Sequence, residues 1–139
     1  FGLAGLRLGY LMAHESVVTE LMKARLPFMV DRFSEAVGRT LLQHPDLLRD
    51  RVQDLKEHTQ QLAAALAERS DVTTVPTQAN FVLFAPQTQH ADAVQDALSE
   101  RGVLIRNMGG YDALQGYLRV CAGTENENKA FLDALDAVL

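Results

Sequence analysis

One long amphipathic stretch constrains the fold of this chain more than any other feature. Between residues 45 and 69, apolar side chains recur at three-, four- and seven-residue intervals: Leu47, Leu48, Val52, Leu55, Leu62, Ala65 and Leu66. This spacing predicts a single helix whose apolar stripe is buried against another layer of the protein. The opening Pro45-Asp46 favours a helix start, because proline fits the first turn and an acidic residue is stabilised near the positive end of the helix dipole.

Two shorter helices and a strand are predicted before this stretch. The apolar residues from 15 to 25 follow helical spacing, and Pro27 interrupts the pattern. A second helix is expected over residues 32 to 42, because the residue before Pro45 is pushed away from helical angles. The mostly apolar run at residues 6 to 13 predicts a buried strand.

Beyond residue 70 the pattern changes to short β-prone runs that alternate with helices. It predicts strands and helices in the order strand, strand, helix, strand, strand, helix, at residues 72–75, 80–84, 91–100, 103–105, 117–121 and 125–139. Such an order is typical of an α+β fold in which helices pack on one face of a largely antiparallel sheet.

Composition and charge exclude several classes of function. The chain has 139 residues, a formal net charge of -5 and no block of consecutive basic residues, which argues against a nucleic-acid or anionic-membrane partner. No apolar run approaches the ~18 residues of a membrane span. Cys121 is the single cysteine, so no internal disulfide forms, and no Cys/His spacing resembles a zinc or other metal site. We therefore expect a cytoplasmic protein, with Cys121 as a small buried residue.

Arg7 is the first candidate for binding an anion. Gly2, Gly5 and Gly9 surround it, and glycine lets the backbone pass close to a ligand. A guanidinium group in such a place can bind a phosphate through two parallel charge-assisted hydrogen bonds. The spacing alone also fits an arginine that forms a salt bridge or is simply solvated.

Arg106 and Arg119 each interrupt an apolar stretch on a predicted strand. A charge in such a place costs free energy unless it has an anionic partner, and two guanidinium groups facing one phosphate would meet that need. The alternative is that both side chains point to the solvent face of a one-sided sheet. Asn80 is similarly open to two interpretations, as a polar residue satisfied within its strand or as a neighbour of an active site.

Several segments, in order along the chain, carry a resemblance to a known family. They are Phe-Gly-Leu-Ala-Gly-Leu-Arg-Leu-Gly-Tyr at 1–10, Leu-Pro-Phe-Met-Val at 26–30, Ala-Asn-Phe-Val-Leu-Phe at 79–84, Val-Leu-Ile-Arg at 103–106 and Tyr-Leu-Arg-Val-Cys-Ala-Gly-Thr at 117–124. Together they resemble the histidinol-phosphate aminotransferase family of fold-type I, class I/II enzymes that use pyridoxal 5'-phosphate (PLP). In that family the first segment follows Ser-Lys-Ala, and the others correspond to a Pro-Tyr-Asn stretch, an Asn-Phe strand and two arginine strands.

The resemblance implies that this chain is a C-terminal fragment of such an enzyme. Residues 1–30 would be a remnant of the large PLP-binding domain, and residues 31–139 would be the small domain. The family's Schiff-base lysine would lie two positions before Phe1, so no catalytic residue is assigned within the chain, and we expect the fragment alone to be inactive. Because residues 1–30 would lack their larger sheet, we expect them to rearrange or to pair with a second copy.

The same resemblance assigns the candidate site residues. Arg7 matches the arginine that binds the cofactor phosphate, Arg119 and Arg106 match arginines that bind the substrate, and Asn80 would lie close to the site. The implied reaction transfers the amino group of a small-molecule donor, histidinol phosphate, to the 2-oxo acid 2-oxoglutarate in histidine biosynthesis. Members of the family work as homodimers.

One departure within the chain and three alternatives accompany this interpretation. Phe28 and Met29 stand where the family usually has Tyr and Asn, so a polar contact from that loop is in doubt. The substrate could instead be an aromatic amino acid or threonine phosphate. The chain could also be a stand-alone, non-catalytic α+β module that binds a small anion or a partner protein through the sheet at residues 79–122.

Overall fold

The computed structural model describes residues 3–139, which form five α-helices and one four-stranded sheet. In chain order the elements are α1 (Glu15–Lys23), α2 (Arg32–Leu42), α3 (Pro45–Ala67), β1 (Val72–Val75), β2 (Phe81–Pro86), α4 (Ala91–Glu100), β3 (Arg106–Asn107), β4 (Leu118–Cys121) and α5 (Glu125–Asp136). Two short 3-10 helices lie at Ala4–Leu6 and Asp112–Leu114. The chain divides into an N-terminal unit, Phe1–Val52, and a C-terminal unit, Gln53–Leu139.

The helices begin where local chemistry stabilises their first turns. The Asp31 carboxylate accepts a hydrogen bond from the Ser34 N–H at 2.9 Å and caps α2. Thr124 and Glu127 form a reciprocal capping box at the start of α5. The predicted bounds of α2, β1 and α4 are confirmed, and α3 and α5 end two and three residues earlier than predicted. Within residues 3–139, no helix combines the length and the apolar character needed to cross a bilayer.

The sheet of the C-terminal unit has the strand order β1-β2-β4-β3, and each pair of neighbours is antiparallel. Its inner positions and the apolar sides of three helices build one core, made of Leu62 and Leu66 from α3, Val72, Val82, Phe84, Leu118 and Val120 from the strands, Ala91, Val94 and Leu98 from α4, and Phe131 and Leu135 from α5. All three helices therefore cover the same face of the sheet. This confirms the predicted α+β class.

The strand predicted over residues 6–13 is wrong. Ala4–Leu6 forms a 3-10 helix instead, and residues 7–13 have no regular secondary structure. The apolar pattern predicts burial, but the side chains of Tyr10 and Met12 are 84% and 83% exposed. Because residues 3–52 contain no strand at all, the backbone of this run has no neighbouring strand with which to pair.

The strand predicted over residues 103–105 is displaced toward the C-terminus, and β3 begins only at Arg106. Gly102 ends α4 with a left-handed φ of 77°, and the Val103 N–H donates to the Leu98 carbonyl at 3.0 Å. Val103 and Ile105 then pack against the core of the C-terminal unit. Their apolar character therefore reflects packing rather than strand pairing.

An ion-pair cluster links the end of α3 to the start of β1 and to α5. Arg69 donates to the Asp71 carboxylate through Nε at 2.8 Å and through a terminal nitrogen at 2.7 Å, and it also pairs with Asp136. The hydrogen bonds from Arg69 hold the pKa of Asp71 below its ordinary value of 3.8. A carboxyl group with a lowered pKa in the folded state stabilises the fold above its unfolded pKa, and this stability is lost as the pH falls through the folded pKa.

We therefore expect the substitution Asp71→Asn to flatten the acid limb of the stability profile. In the parent chain the free energy of unfolding should decline as the pH falls below 3.8, in part because Asp71 takes up a proton. Urea unfolding at a series of pH values measures this decline. Asp133→Asn is the matched control, because it removes a solvent-exposed pair with Lys129. Identical acid limbs for the Asp71→Asn variant and the parent chain would contradict the prediction.

Candidate functional site

The candidate site lies on the open face of the sheet, which is the side opposite the helices. Successive residues of a strand point to opposite faces, so the partners of the core residues point away from α3, α4 and α5. The open face carries Val75, Phe81, Leu83, Arg106, Arg119 and Cys121. Cys121 is exposed, which corrects the prediction of a buried thiol, because it lies directly opposite Phe81 on this face.

Arg106 and Arg119 are directly opposite each other in the antiparallel pairing of β3 with β4. Leu83 of β2 is the partner of Arg119 on its other side. The two arginines are therefore the last two residues in one row of paired side chains that crosses the sheet. Neither forms an ion pair with any residue in the described part of the chain. Like charges placed directly opposite destabilise a sheet. The pair therefore does not form part of a salt bridge within the described part of the chain.

The surroundings of Arg119 restrict its guanidinium group. Its central carbon lies 5.1 Å from the centre of the Phe81 ring, within the range of a cation–π interaction. Its Nε is fully buried and has no hydrogen-bond partner among residues 3–139. Both arginines lie on the face that the helices leave uncovered, as the alternative interpretation predicts, but Arg106 is exposed there while Arg119 is half-buried.

Both arginines border an open cavity of about 630 Å³, which Asn128, Ala130 and Phe131 of α5 also line, so the cavity extends beyond the open face. Loop residues 102–105 line one side of it, and Glu127 at the start of α5 lines another. The Glu127 carboxylate accepts hydrogen bonds from the backbone N–H and the hydroxyl of Thr124, each at 2.8 Å. These bonds lower the pKa of Glu127, so its negative charge is held at the helix start.

Asn80 is exposed and lies where β2 meets the end of β4. Its carbonyl accepts a hydrogen bond from the Ala122 N–H at 3.0 Å, and Ala122 borders the same cavity. This bond fixes the start of β2 and with it the neighbouring Phe81. The structure thus brings Asn80, Arg106 and Arg119 together in one unit.

Arg7 belongs to the N-terminal unit. Its side chain is exposed and enters none of the ion pairs found within residues 3–139, and its φ of 51° lies in the left-handed region. The hydroxyl of the buried Ser34 lies 3.0 Å from the Leu6 carbonyl, which fixes the turn immediately before Arg7. Gly38 of α2 lies beside the Leu8 side chain, whose tip would have to shift if a Cβ were added at this glycine. The turn that presents Arg7 is therefore anchored on α2.

Sequence reasoning missed two residues of these sites, Phe81 and Ser34. Phe81 belongs to the Ala-Asn-Phe-Val-Leu-Phe segment at 79–84. Its contact with Arg119, however, depends on the strand register, which periodicity does not give. Ser34 carries a recognisable signal, because it lies three residues after the capping Asp31. Its second role, at the Leu6 carbonyl, joins residues 28 positions apart and is visible only in the fold.

Comparison with known proteins gives a consistent match. The family model "Aminotransferase class I and II" matches residues 1–135. Histidinol-phosphate aminotransferase 2 of Nitrosococcus oceani is 39% identical over 137 residues, covering 98% of this chain and 38% of that protein. Histidinol-phosphate aminotransferase of Streptomyces avermitilis is 44% identical over 138 residues, covering 97% of this chain and 35% of that protein. The chain thus spans little more than a third of the length of these relatives.

Solved structures agree in fold. Histidinol-phosphate aminotransferase from Clostridium acetobutylicum superimposes with a TM-score of 0.87 at 20% identity, covering 99% of this chain and 42% of that one. The Sinorhizobium meliloti enzyme in complex with pyridoxal-5'-phosphate gives 0.81 at 26% identity, covering 99% of this chain and 38% of that one. From the family model and from the relatives, it follows that this chain belongs to the class I and II aminotransferase family.

Proposed function

We propose that the chain is the C-terminal portion of a PLP-dependent aminotransferase that transfers the amino group of histidinol phosphate to 2-oxoglutarate. The observation that carries the proposal is the direct pairing of Arg106 with Arg119 on the open face, where neither forms an ion pair with a described residue. The names of the relatives support the choice of histidinol phosphate as the amino donor.

The arginine pair suits a phosphate better than a single carboxylate. A phosphate dianion offers enough oxygens for two guanidinium groups to donate to it together, and charge-assisted bonds of this kind are roughly twice as strong as neutral ones. Binding would also relieve the repulsion between the two arginines. Arg119 and Arg106 would therefore hold and orient the substrate by its phosphate, with Asn80 bonded to Ala122, which borders the same cavity.

Arg7 fits the phosphate of PLP. Its guanidinium is exposed and enters none of the ion pairs in the described part of the chain, and the anchored turn before it limits the freedom of the backbone. When bound, PLP supplies an electron sink for deprotonation of the substrate carbon. The part that we assign to this chain is to bind and orient, with Arg7 on the cofactor phosphate and the arginine pair on the substrate.

We further propose that the whole protein is a cytoplasmic homodimer, with residues 1–30 in a large domain and residues 31–139 in a small one. Fifteen of the eighteen exposed large apolar side chains of the described residues lie in the N-terminal unit, where Ser34 alone is buried. Such a surface favours burial against further protein. Sedimentation equilibrium of the whole protein measures its association state, and a monomer would contradict the dimer.

The proposed substrate can be tested on the 139-residue chain by NMR. We expect the guanidinium N–H signals of Arg106 and Arg119, including those of the terminal nitrogens, to shift when histidinol phosphate or inorganic phosphate is added, and to stay in place when histidinol is added. The reason is that the proposed contacts are made to the phosphate alone. The Arg101 signal is the internal control, because that side chain is exposed and donates to the Ala97 carbonyl of its own helix.

The same titration separates the alternative substrates. Shifts with phenylalanine as large as those with histidinol phosphate would indicate a site for amino acid carboxylates, and tighter binding of threonine phosphate would favour that substrate. Unchanged Arg106 and Arg119 signals with every phosphorylated ligand would contradict the proposed function.

A further inference from the structure

The contact between Phe81 and Arg119 is not needed for Arg119 merely to offer a positive charge to a phosphate. A fully buried Nε without a hydrogen-bond partner is costly, because the donor has lost its water without gaining an acceptor. If charge alone mattered, a more exposed arginine such as Arg106 would be sufficient. The position of the Arg119 guanidinium therefore has another cause, and the aromatic ring 5.1 Å away accounts for it.

The sheet holds that ring in a defined place. Phe81 is directly opposite Cys121, while Arg119 is directly opposite Leu83, so the phenyl ring and the guanidinium are diagonal neighbours on the open face. Diagonal neighbours are within reach of aromatic and long side chains. The Asn80 carbonyl, bonded to the Ala122 N–H, fixes the backbone just before Phe81. The ring therefore acts as a rigid wall on one side of the guanidinium.

The burial of Nε decides which donors of Arg119 can reach a ligand. An arginine can bind an oxyanion sideways through Nε and one terminal nitrogen, or end-on through its two terminal nitrogens. Because Nε is buried, the sideways mode is closed. Only the end-on mode through the two terminal nitrogens remains, and Arg119 borders the same cavity as Arg106.

We propose that Phe81 is a positioning residue that holds Arg119 for end-on binding of the substrate phosphate and so contributes to the choice of substrate. This inference rests on the proposed function, since it assumes that Arg119 binds a phosphate. Phe81 itself touches the guanidinium rather than the substrate. An unsupported Arg119 would sample both binding modes and lose part of its affinity to the ordering of its side chain.

The test compares Phe81→Leu, Phe81→Tyr and the control Phe33→Leu in the full 139-residue chain. Phe33→Leu makes the same chemical change at a 70% exposed position of the N-terminal unit. We expect Phe81→Leu to weaken the binding of inorganic phosphate about 2- to 5-fold, the effect of losing one exposed cation–π contact. Phe81→Tyr keeps an aromatic face and should stay within about twofold of the parent chain, as should Phe33→Leu.

A second readout separates positioning from general loosening of the fold. In the parent chain the Arg119 Nε–H signal should be shifted upfield by the ring current of Phe81, and the shift should vanish in Phe81→Leu and persist in Phe81→Tyr. An Arg119 signal without that shift in the parent overturns the proposal even if a variant does not fold. Unchanged phosphate affinity in a folded Phe81→Leu variant overturns it as well.

The outcomes also separate a failure of the proposed function from a failure of the positioning role of Phe81. If phosphate fails to move the Arg106 and Arg119 signals of the parent chain, the proposed function fails and the positioning role fails with it. If phosphate binds the parent and Phe81→Leu equally well, the proposed function stands and the positioning role alone is overturned.

Discussion

Replacing Arg119 with leucine is expected to weaken phosphate binding strongly and, at low ionic strength, to make the fold more stable. Removing a charged partner from a hydrogen-bonded ligand loses about 1.5–3 kcal/mol, which corresponds to a roughly 10- to 100-fold rise in the dissociation constant. Arg119 is opposite Arg106 and borders the cavity, so we expect it to contribute more to binding than any neutral neighbour. Titration of the chain with inorganic phosphate measures the change.

The gain in stability follows from comparing three contributions at this position. In the parent chain the buried donor without a partner destabilises the fold by about 1–3 kcal/mol, and the repulsion from Arg106 destabilises it by about 0.2–1 kcal/mol. Leucine at position 119 removes both of these costs. It also loses the cation–π contact with Phe81, worth about 0.5–1 kcal/mol. Together the three contributions favour the variant by roughly 0.2–3.5 kcal/mol in the free energy of unfolding, or about 2 kcal/mol from the middle of each range.

A matched control separates the site from net charge. Arg101→Leu removes the same charge from an exposed position on the end of α4, and it should change neither phosphate affinity nor the free energy of unfolding by more than about 0.5 kcal/mol. Arg119→Leu should differ from this control in both measurements, because its phosphate affinity should fall while its free energy of unfolding should rise. If Arg119→Leu instead lowers stability in urea unfolding, the arginine has a structural role and the proposed role in phosphate binding fails.

The sequence predicts elements that local chemistry encodes. The limits of α2 coincide with prediction because Asp31 caps its start and Pro45 lies just beyond its end. The predicted strand at residues 6–13 failed for the opposite reason, since a strand is defined by a neighbour and residues 3–52 contain none. The apolar pattern at residues 103–105 predicts a strand, but in the structure the first and third of these side chains serve only to pack against the core.

The candidate site shows the same division. Arg106 and Arg119 stand out in the sequence because charges interrupt apolar runs, and each lies on a strand as predicted. That they face each other depends on the β3–β4 register, which a two-residue strand cannot reveal through periodicity. The burial of the Arg119 Nε and the neighbouring Phe81 ring depend on a second register, β2 with β4. The candidate residues are thus encoded locally, while their joint geometry is a property of the sheet.

The largest loss of stability is expected from Phe84→Ala. Phe84 is fully buried on the inner side of β2, and its ring meets that of Phe131 edge-on, with centres 5.9 Å apart and planes at 63°. Truncating a buried phenylalanine costs about 3–5 kcal/mol, because transfer free energy is lost and a cavity is left behind. Domains are stable by only about 5–15 kcal/mol, so this variant should unfold at a much lower urea concentration.

Phe84→Ala should also reach the site through β2, because the strand that carries Phe84 inward carries Phe81 outward three residues earlier. We therefore expect weaker phosphate binding that recovers when the variant is measured under conditions where it is fully folded. The control Phe33→Ala truncates the same ring type at a 70% exposed position and should change the free energy of unfolding by no more than about 0.5 kcal/mol. A loss below about 1.5 kcal/mol for Phe84→Ala would mean that the sheet and its helices do not share one core.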